Sequence, residues 1–255
     1  MGEFFELPFI VMKISGNAEK LFNGIASNTN EKARNAFLDV YGKIVVVFYQ
    51  KFSGDEVLIA FNEEFRERLE KHLANFLKLN KSKMEETGMK AFLVTSGIRE
   101  SGKIKGIKAG AEKRGIEKIG GIKIPEKNSF ILLAESKPEG MQEMSEKEFG
   151  RFRLENGISM QGKEFDSEMI MNTDWDDAVS FSKGCFLGQE IVARITQRGK
   201  PPKRLVRIAF EQEPGEKMPF IEVRSKAFSD KLGKWIAYCS VPNEEFEIPG
   251  GEMLG

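Results

Sequence analysis

Apolar and polar positions along the chain switch between two periods. Short runs of β-branched and aromatic residues bounded by turn residues mark strands at Pro8 to Ile14, Ala36 to Val40, Lys43 to Gln50 and Val57 to Phe61. Helical spacing appears twice among them. Ser15-Gly16-Asn17 opens a helix with Leu21, Phe22 and Ile25 on one side, Asn17 as its cap, and Asn28-Thr29-Asn30 at its end. Asn62 opens a longer helix in which Phe65, Leu69, Leu73, Phe76 and Leu77 recur at helical spacing to about Leu79.

The same alternation continues downstream. Ala91 to Thr95 and Phe130 to Ala134 read as strands, separated by the Gly- and Lys-rich stretch Ser101 to Gly121. That stretch holds no phosphate-loop pattern and predicts a short helix near Ala109 to Ile119. Ser145 and Glu148 form a capping box for a helix that runs to about Glu155, where Asn156-Gly157 supplies the stop. After the basic, proline-containing stretch Arg198 to Arg204, helical periodicity is lost. Leu205 to Phe210, Pro219 to Ser225 and Lys234 to Val241 read as strands, followed by a loose Pro/Gly tail. The pattern predicts an α+β fold, with one unit over residues 1–198 and a small all-β domain over 199–255.

Composition narrows the function classes. Lys+Arg and Asp+Glu are equal at 39 each, so no global field favours nucleic acid or an anionic membrane. The basic segments Lys103 to Lys118 and Arg198 to Arg204 lack the interleaved aromatics that stack on bases. Only two cysteines, Cys185 and Cys239, and one histidine, His72, are present. They lack the spacing of a zinc or iron–sulfur site, so no resident metal is expected. Two cysteines in a chain of 255 residues read as free thiols of a reducing compartment. With no signal-peptide pattern at the start and no apolar run near the roughly 20 residues that span a bilayer, the expected location is cytoplasmic. A monomer is expected. His72 lies beside the apolar stripe of its helix and is given no role. Asp174-Trp175-Asp176-Asp177 reads as an acidic helix start and not as a metal site.

The candidate chemistry lies in Phe181-Ser182-Lys183-Gly184-Cys185-Phe186-Leu187-Gly188-Gln189-Glu190-Ile191-Val192-Ala193-Arg194. Two glycines bracket a thiol, a lysine precedes it, and a helix-compatible run follows. A thiol beside a cation in a turn before a helix has a route to a lowered pKa. The plain alternative is a tight corner with a small apolar cysteine.

Lys183 to Arg194 resembles the signature of the folate-binding YgfZ family, a branch of the glycine-cleavage T-protein superfamily, with Phe186 in the usual tyrosine place. Lys13 to Ala18, Leu21-Phe22 and Ser27-Asn28 are similar to the superfamily's N-terminal strand and helix. Arg153-Leu154-Glu155-Asn156-Gly157 is similar to its Arg-X-Glu-X-Gly element, followed by Gly162-X-Glu164. The resemblance implies two intertwined, ferredoxin-like α+β halves around a channel, with a small antiparallel β-barrel beside them. It implies tetrahydrofolate in that channel, with Glu155 against the pterin and Lys183, Arg153, Gln189, Glu190 and Arg194 near the ligand. Cys185 is the key residue, whether it attacks, ligates a transient metal or holds the channel wall. The implied partners are folate and, transiently, iron–sulfur proteins or cluster carriers. One departure bears on activity. Aminomethyl transferases of the superfamily carry Gly-Gly-X-X-Asp-Asp in the early strand, whereas this chain has Gly42 followed by valine at both acidic positions, Val46 and Val47. Three readings follow: a YgfZ-type protein supporting assembly or repair of iron–sulfur enzymes, a folate-dependent one-carbon transferase, and a structural or RNA-contact module.

Overall fold

The computed structural model describes residues 2–95, 121–199, 201–244 and 246–254. The helix expected over Ala109 to Ile119 and the basic stretch Lys103 to Lys118 lie outside these residues. The elements are β1 (Glu3–Ser15), α1 (Ala18–Ile25), β2 (Arg34–Leu38), β3 (Ile44–Ser53), β4 (Glu56–Asn62), α2 (Arg66–Asn80), β5 (Lys83–Thr95), β6 (Ile122–Glu126), β7 (Ser129–Ala134), β8 (Gln142–Glu143), α3 (Glu146–Asn156), α4 (Gln189–Arg198), β9 (Lys203–Phe210), β10 (Lys217–Met218), β11 (Ile221–Ser229), β12 (Lys234–Pro242) and β13 (Gly251–Leu254). The fold is α+β and mostly strand.

An eight-stranded sheet runs in the order β2-β3-β4-β1-β5-β7-β6, with β8 added in parallel along β1 and every other pairing antiparallel. It curls into a half-barrel, so that β6 at one end reaches β3 near the other. A separate antiparallel sheet follows the order β10-β11-β12-β9-β13. Among the described residues, no helix is long and apolar enough to cross a membrane.

Alternation assigns the faces of the curled sheet. Ile10, Met12, Ile14, Val46, Phe48, Val57, Ile59 and Phe61 point to one face and meet Leu21, Phe22 and Ile25 of α1 and Leu69 and Leu73 of α2. Phe22 packs edge-on against Phe37, Phe48 and Phe52, with ring centroids 5.3 to 5.9 Å apart. The concave face carries Val11, Val47, Tyr49, Ala60 and Leu93. It is closed by Phe149 and Leu154 of α3, by Ile158 to Val179, by Phe186 and by Val192 of α4. Leu205, Ile236 and Tyr238 of the second sheet join this core, so the two sheets share one apolar interior. The five apolar residues Ile44 to Phe48 are buried as a sheet-centre strand should be, except that Val45 is half-exposed.

Several local expectations are corrected. Asn17 does not cap α1 with its side chain but adopts a left-handed conformation (φ 53°). Asp55, in the β3–β4 turn, takes that role by accepting from the Asn17 N–H at 2.6 Å. It places an anion at the positive end of the helix. Asn62 caps a 3₁₀ turn, Glu63–Phe65, that leads into α2. Phe220 has a positive φ of 65°, so the strand expected from Pro219 starts at Ile221 and runs to Ser229. The tail is not loose: Gly251 to Leu254 pairs with Phe210 to Arg207 of β9 and closes the second sheet. Phe246 and Ile248 pack into that sheet's core and hold the tail in reach. The capping box at Ser145 and Glu148 forms as expected, and α3 ends in a left-handed Gly157.

Candidate functional site

The signature segment is an irregular loop, Ser180 to Gly188, ahead of α4, and three anchors fix it. The Ser180 N–H donates to the Ser27 carbonyl at 2.9 Å. The Lys183 ammonium donates to three backbone carbonyls at the end of α1: Phe22 at 3.2 Å, Ala26 at 2.5 Å and Asn28 at 3.2 Å. The Phe22 carbonyl also accepts from the Ala26 N–H that closes the helix, and a cation there meets the negative end of the dipole. Phe186 is the third anchor, 7 % exposed in the concave core. Burial pulls the Lys183 pKa down to about 8, so the group still carries its charge near neutrality.

Gly188 completes the corner. It has φ +82°, and a Cβ on it would lie within contact distance of the Asp39 carbonyl oxygen and 3.0 Å from the Gly42 Cα. Only a glycine allows α4 to start against the β2–β3 turn. Between the Lys183 and Phe186 anchors, Cys185 is exposed and its thiol is free. Cys239 is also free but fully buried in the second sheet, and burial pushes its thiol up to about 12.

The other residues expected near a ligand lie in separate places. Gln189 is half-exposed at the start of α4. Glu190 and Arg194 form an exposed ion pair one helical turn apart, 2.7 Å between Arg194 Nη2 and Glu190 Oε1. Arg153 is 3 % exposed. It bonds Glu164 with both terminal nitrogens, at 3.0 and 2.9 Å, and the Ile158 carbonyl at 2.9 Å. Glu164 also accepts from the Met160 N–H at 2.8 Å. This buried fork holds the chain turn after α3. Glu155 faces the second sheet, where its Oε1 accepts from the Ser229 hydroxyl at 2.6 Å. Among the described residues, no hydrogen bond or ion pair joins Glu155 to Lys183 or to the Cys185 loop.

The acidic segment opens only a 3₁₀ turn, Asp176–Ala178, with Asp176 and Asp177 in its first turn, and Asp174 does not cap it. Asp174 Oδ1 accepts from the Ser159 hydroxyl, its Oδ2 accepts from the Tyr238 phenol at 2.9 Å, and Lys127 Nζ lies 3.7 Å away. It therefore ties the turn after α3, the β6–β7 turn and the second sheet together. Asp177 pairs with Arg34 at 3.2 Å. His72 is half-buried beside the rings of Phe37 and Phe76, and burial lowers its pKa.

A second group of residues was not singled out by sequence. Arg34, Tyr49, Glu126 and Trp175 meet inside the half-barrel. The Arg34 guanidinium carbon sits 3.9 Å from the centroid of the Trp175 ring. Burial is the largest influence on Arg34 and opposes its charge, but Glu126, Tyr49, Asp177 and Asp174 together more than offset it and leave the pKa above its ordinary value. Burial, with the Glu126 carboxylate beside it, raises the Tyr49 phenol well above the ordinary range and keeps it protonated. One signal was available: Ile122, Ile124 and Glu126 alternate on β6, so an acid occupies an inward position. On the same concave face, a groove of about 470 Å³ is lined by Lys13, Lys51, Leu58, Thr87, Met89 and Ile122, among others. It includes no residue of the signature loop.

No protein-family model matches the sequence, and no curated protein matches it. Among solved structures, the chain is similar to the glycine cleavage system aminomethyltransferase T from Bartonella henselae. The TM-score is 0.69 and the identity 13 %, over 94 % of this chain and 78 % of that one. At that identity the likeness concerns the fold alone. The curled sheet with its separate antiparallel sheet is thus a T-protein-like fold.

Proposed function

We propose that this protein binds a reduced folate in its T-protein-like core and supports the assembly or repair of iron–sulfur enzymes in the manner of the YgfZ family. Cys185 is the residue on which that role depends. The observation that carries this reading is the presentation of Cys185: an exposed free thiol on a loop fastened by Lys183 to the end of α1 and by Phe186 to the core. A loop built only for packing would bury its cysteine, as the second sheet does with Cys239.

The one-carbon transferase reading is weaker. Val46 and Val47, at the positions where transferases carry acids, are 0 % and 6 % exposed and packed on opposite faces of the sheet. A valine there neither holds nor moves a proton beside a folate nitrogen. Of the residues the resemblance assigns to the ligand, Glu155 offers a half-buried carboxylate at the junction of α3 and β11, while Lys183 and Arg153 act by holding backbone in place.

The test is restoration of iron–sulfur enzyme activity in cells that lack the endogenous family member. Wild-type protein should restore it, and Cys185→Ala, folded with an unchanged melting temperature, should not. Full restoration by Cys185→Ala would remove the thiol from the function.

A further inference from the structure

Asn35 interrupts an otherwise apolar run on β2. The other fully buried positions of that strand, Ala36 to Leu38, are apolar, and Asn35 lies two places before Phe37 on the same face. A buried amide needs partners on both its oxygen and its nitrogen, and this one has them. Its Oδ1 accepts from the Asn28 N–H at 2.8 Å. Its Nδ2 donates to the Asn28 carbonyl at 3.2 Å and to Gln50 Oε1 at 3.1 Å. Gln50, also buried, donates onward to the Thr29 and Lys32 carbonyls, each at 2.9 Å. Asn35 therefore grips the Asn28 backbone at both its donor and its acceptor, and Gln50 fixes the orientation of the gripping amide.

Asn28 and Ser27 carry the signature loop. The Asn28 carbonyl accepts from Asn35 and from the Lys183 ammonium, each at 3.2 Å, so its two lone pairs are divided between β2 and the loop. The Asn28 side chain donates to the Asp177 carbonyl at 2.9 Å, and the Ser27 hydroxyl donates to the Ala178 carbonyl at 2.6 Å. The Ser27 carbonyl accepts from the Ser180 N–H at 2.9 Å. Hydrogen bonds thus run from Asn35 through Asn28 to Lys183, and the same segment holds the approach of the loop from Asp177 to Ser180. Among the described residues, no hydrogen bond joins Asn35 itself to Cys185. Ser27, Asn28, Asn35 and Gln50 are all buried, so bulk water does not replace a partner that is removed.

We propose that Asn35 is a positioning residue for Cys185, acting through the Asn28 carbonyl and the Lys183 ammonium. Its consequence for function rests on the reading of Cys185 as the functional residue, whereas its coupling to the loop does not.

The test removes the amide and leaves Lys183 and Cys185 in place. Hydrogen exchange is followed over residues 177–188 in wild type and Asn35→Leu, with β12 as the internal reference. A nitroxide attached to Cys185 reports the motion of that position, since Cys239 is buried and out of reach of the label. Loss of a buried hydrogen bond is worth about tenfold in a local opening equilibrium, so exchange over 177–188 should quicken by that factor while β12 is unchanged. The nitroxide spectrum should narrow. Exchange that is unchanged in the loop, or that quickens equally in β12, overturns the proposal, as does an unchanged nitroxide spectrum. The same variant is then tested for restoring iron–sulfur enzyme activity in cells. A loosened loop with lost restoration supports both the coupling and the functional reading. A loosened loop with full restoration keeps the coupling and counts against the functional reading, while a loop as rigid as in wild type overturns the coupling and leaves that reading standing. If Asn35→Leu does not fold, Asn35→Ala, which removes the amide without adding apolar bulk, decides by the same measurements.

Discussion

The ammonium of Lys183 donates to the carbonyl oxygen of Ala26 at 2.5 Å, and that bond holds the signature loop on the end of α1. Lysine in this motif is thus a cap for a helix contributed by a distant part of the chain. Cys185, two residues on, owes its position to that cap. Removing the ammonium should loosen the loop without touching the thiol. In Lys183→Met, hydrogen exchange over residues 180–188 should quicken while the second sheet stays protected. Unchanged exchange in the loop would show that Phe186 and Gly188 suffice.

Lys183 also predicts a pH dependence. Its pKa is lowered from 10.5 to about 8 in the folded protein. Between those values the unfolded chain binds the extra proton, so this group adds stability as pH rises from about 8 to about 10.5. Because the side chain is only half-buried, solvent screening reduces the effect to on the order of 1 kcal/mol. Chemical denaturation of wild type and Lys183→Met across pH 7 to 11 (roughly the window set by the two values) measures it. The difference in stability should shift in favour of wild type as the pH climbs. A constant difference would contradict the assignment.

The two glycines of the signature should respond oppositely to alanine. A Cβ at Gly188 meets the Asp39 carbonyl and the Gly42 backbone at a positive φ, whereas a Cβ at Gly184 meets nothing within 4 Å. Gly188→Ala should cost roughly 2–4 kcal/mol, from left-handed strain plus backbone displacement. Gly184→Ala should stay within about 0.5 kcal/mol. Thermal melts of the two variants separate them, and equal melting temperatures would refute the close approach of α4 to the β2–β3 turn.

Much of the scaffold is legible in the sequence, and the reasons are local. Leu69 and Leu73 form the buried face of α2, with Phe65 buried in the turn that leads into it, and Ser145 with Glu148 closes its box, because spacing and capping act over a few residues. Longer-range partners leave no such trace. Asp55 displaces Asn17 as the cap of α1 because a turn from β3 and β4 folds back onto the helix. Asp174 becomes a tie between Ser159 and Tyr238 instead of a helix start, because the second sheet comes within reach of its carboxylate. Arg34, Glu126 and Trp175 are separated by most of the chain and meet only once the sheet curls.

The two thiols should differ sharply in reactivity. Cys185 is exposed, while Cys239 is fully buried with its pKa raised to about 12. Alkylation of the native protein followed by mass spectrometry should modify Cys185 faster by on the order of 10²-fold or more, since the thiolate is the reactive form. Comparable slow labelling of both would return Cys185 to a packing role.

Aminomethyl transfer should be absent. With Val46 and Val47 buried, no acid on β3 assists proton transfer, and such assistance is typically worth about 10²–10⁴-fold in rate. Supplied with aminomethylated carrier protein and tetrahydrofolate, the protein should form methylene-tetrahydrofolate and ammonia only at background rate. Turnover at an ordinary enzymatic rate would promote the transferase reading.

Binding of a reduced folate is the most direct test of the proposed function. Calorimetric titration of the wild-type protein with 5-formyltetrahydrofolate should give a saturable one-to-one isotherm. Absence of binding heat at several temperatures, with no ligand retained on equilibrium dialysis, would contradict it.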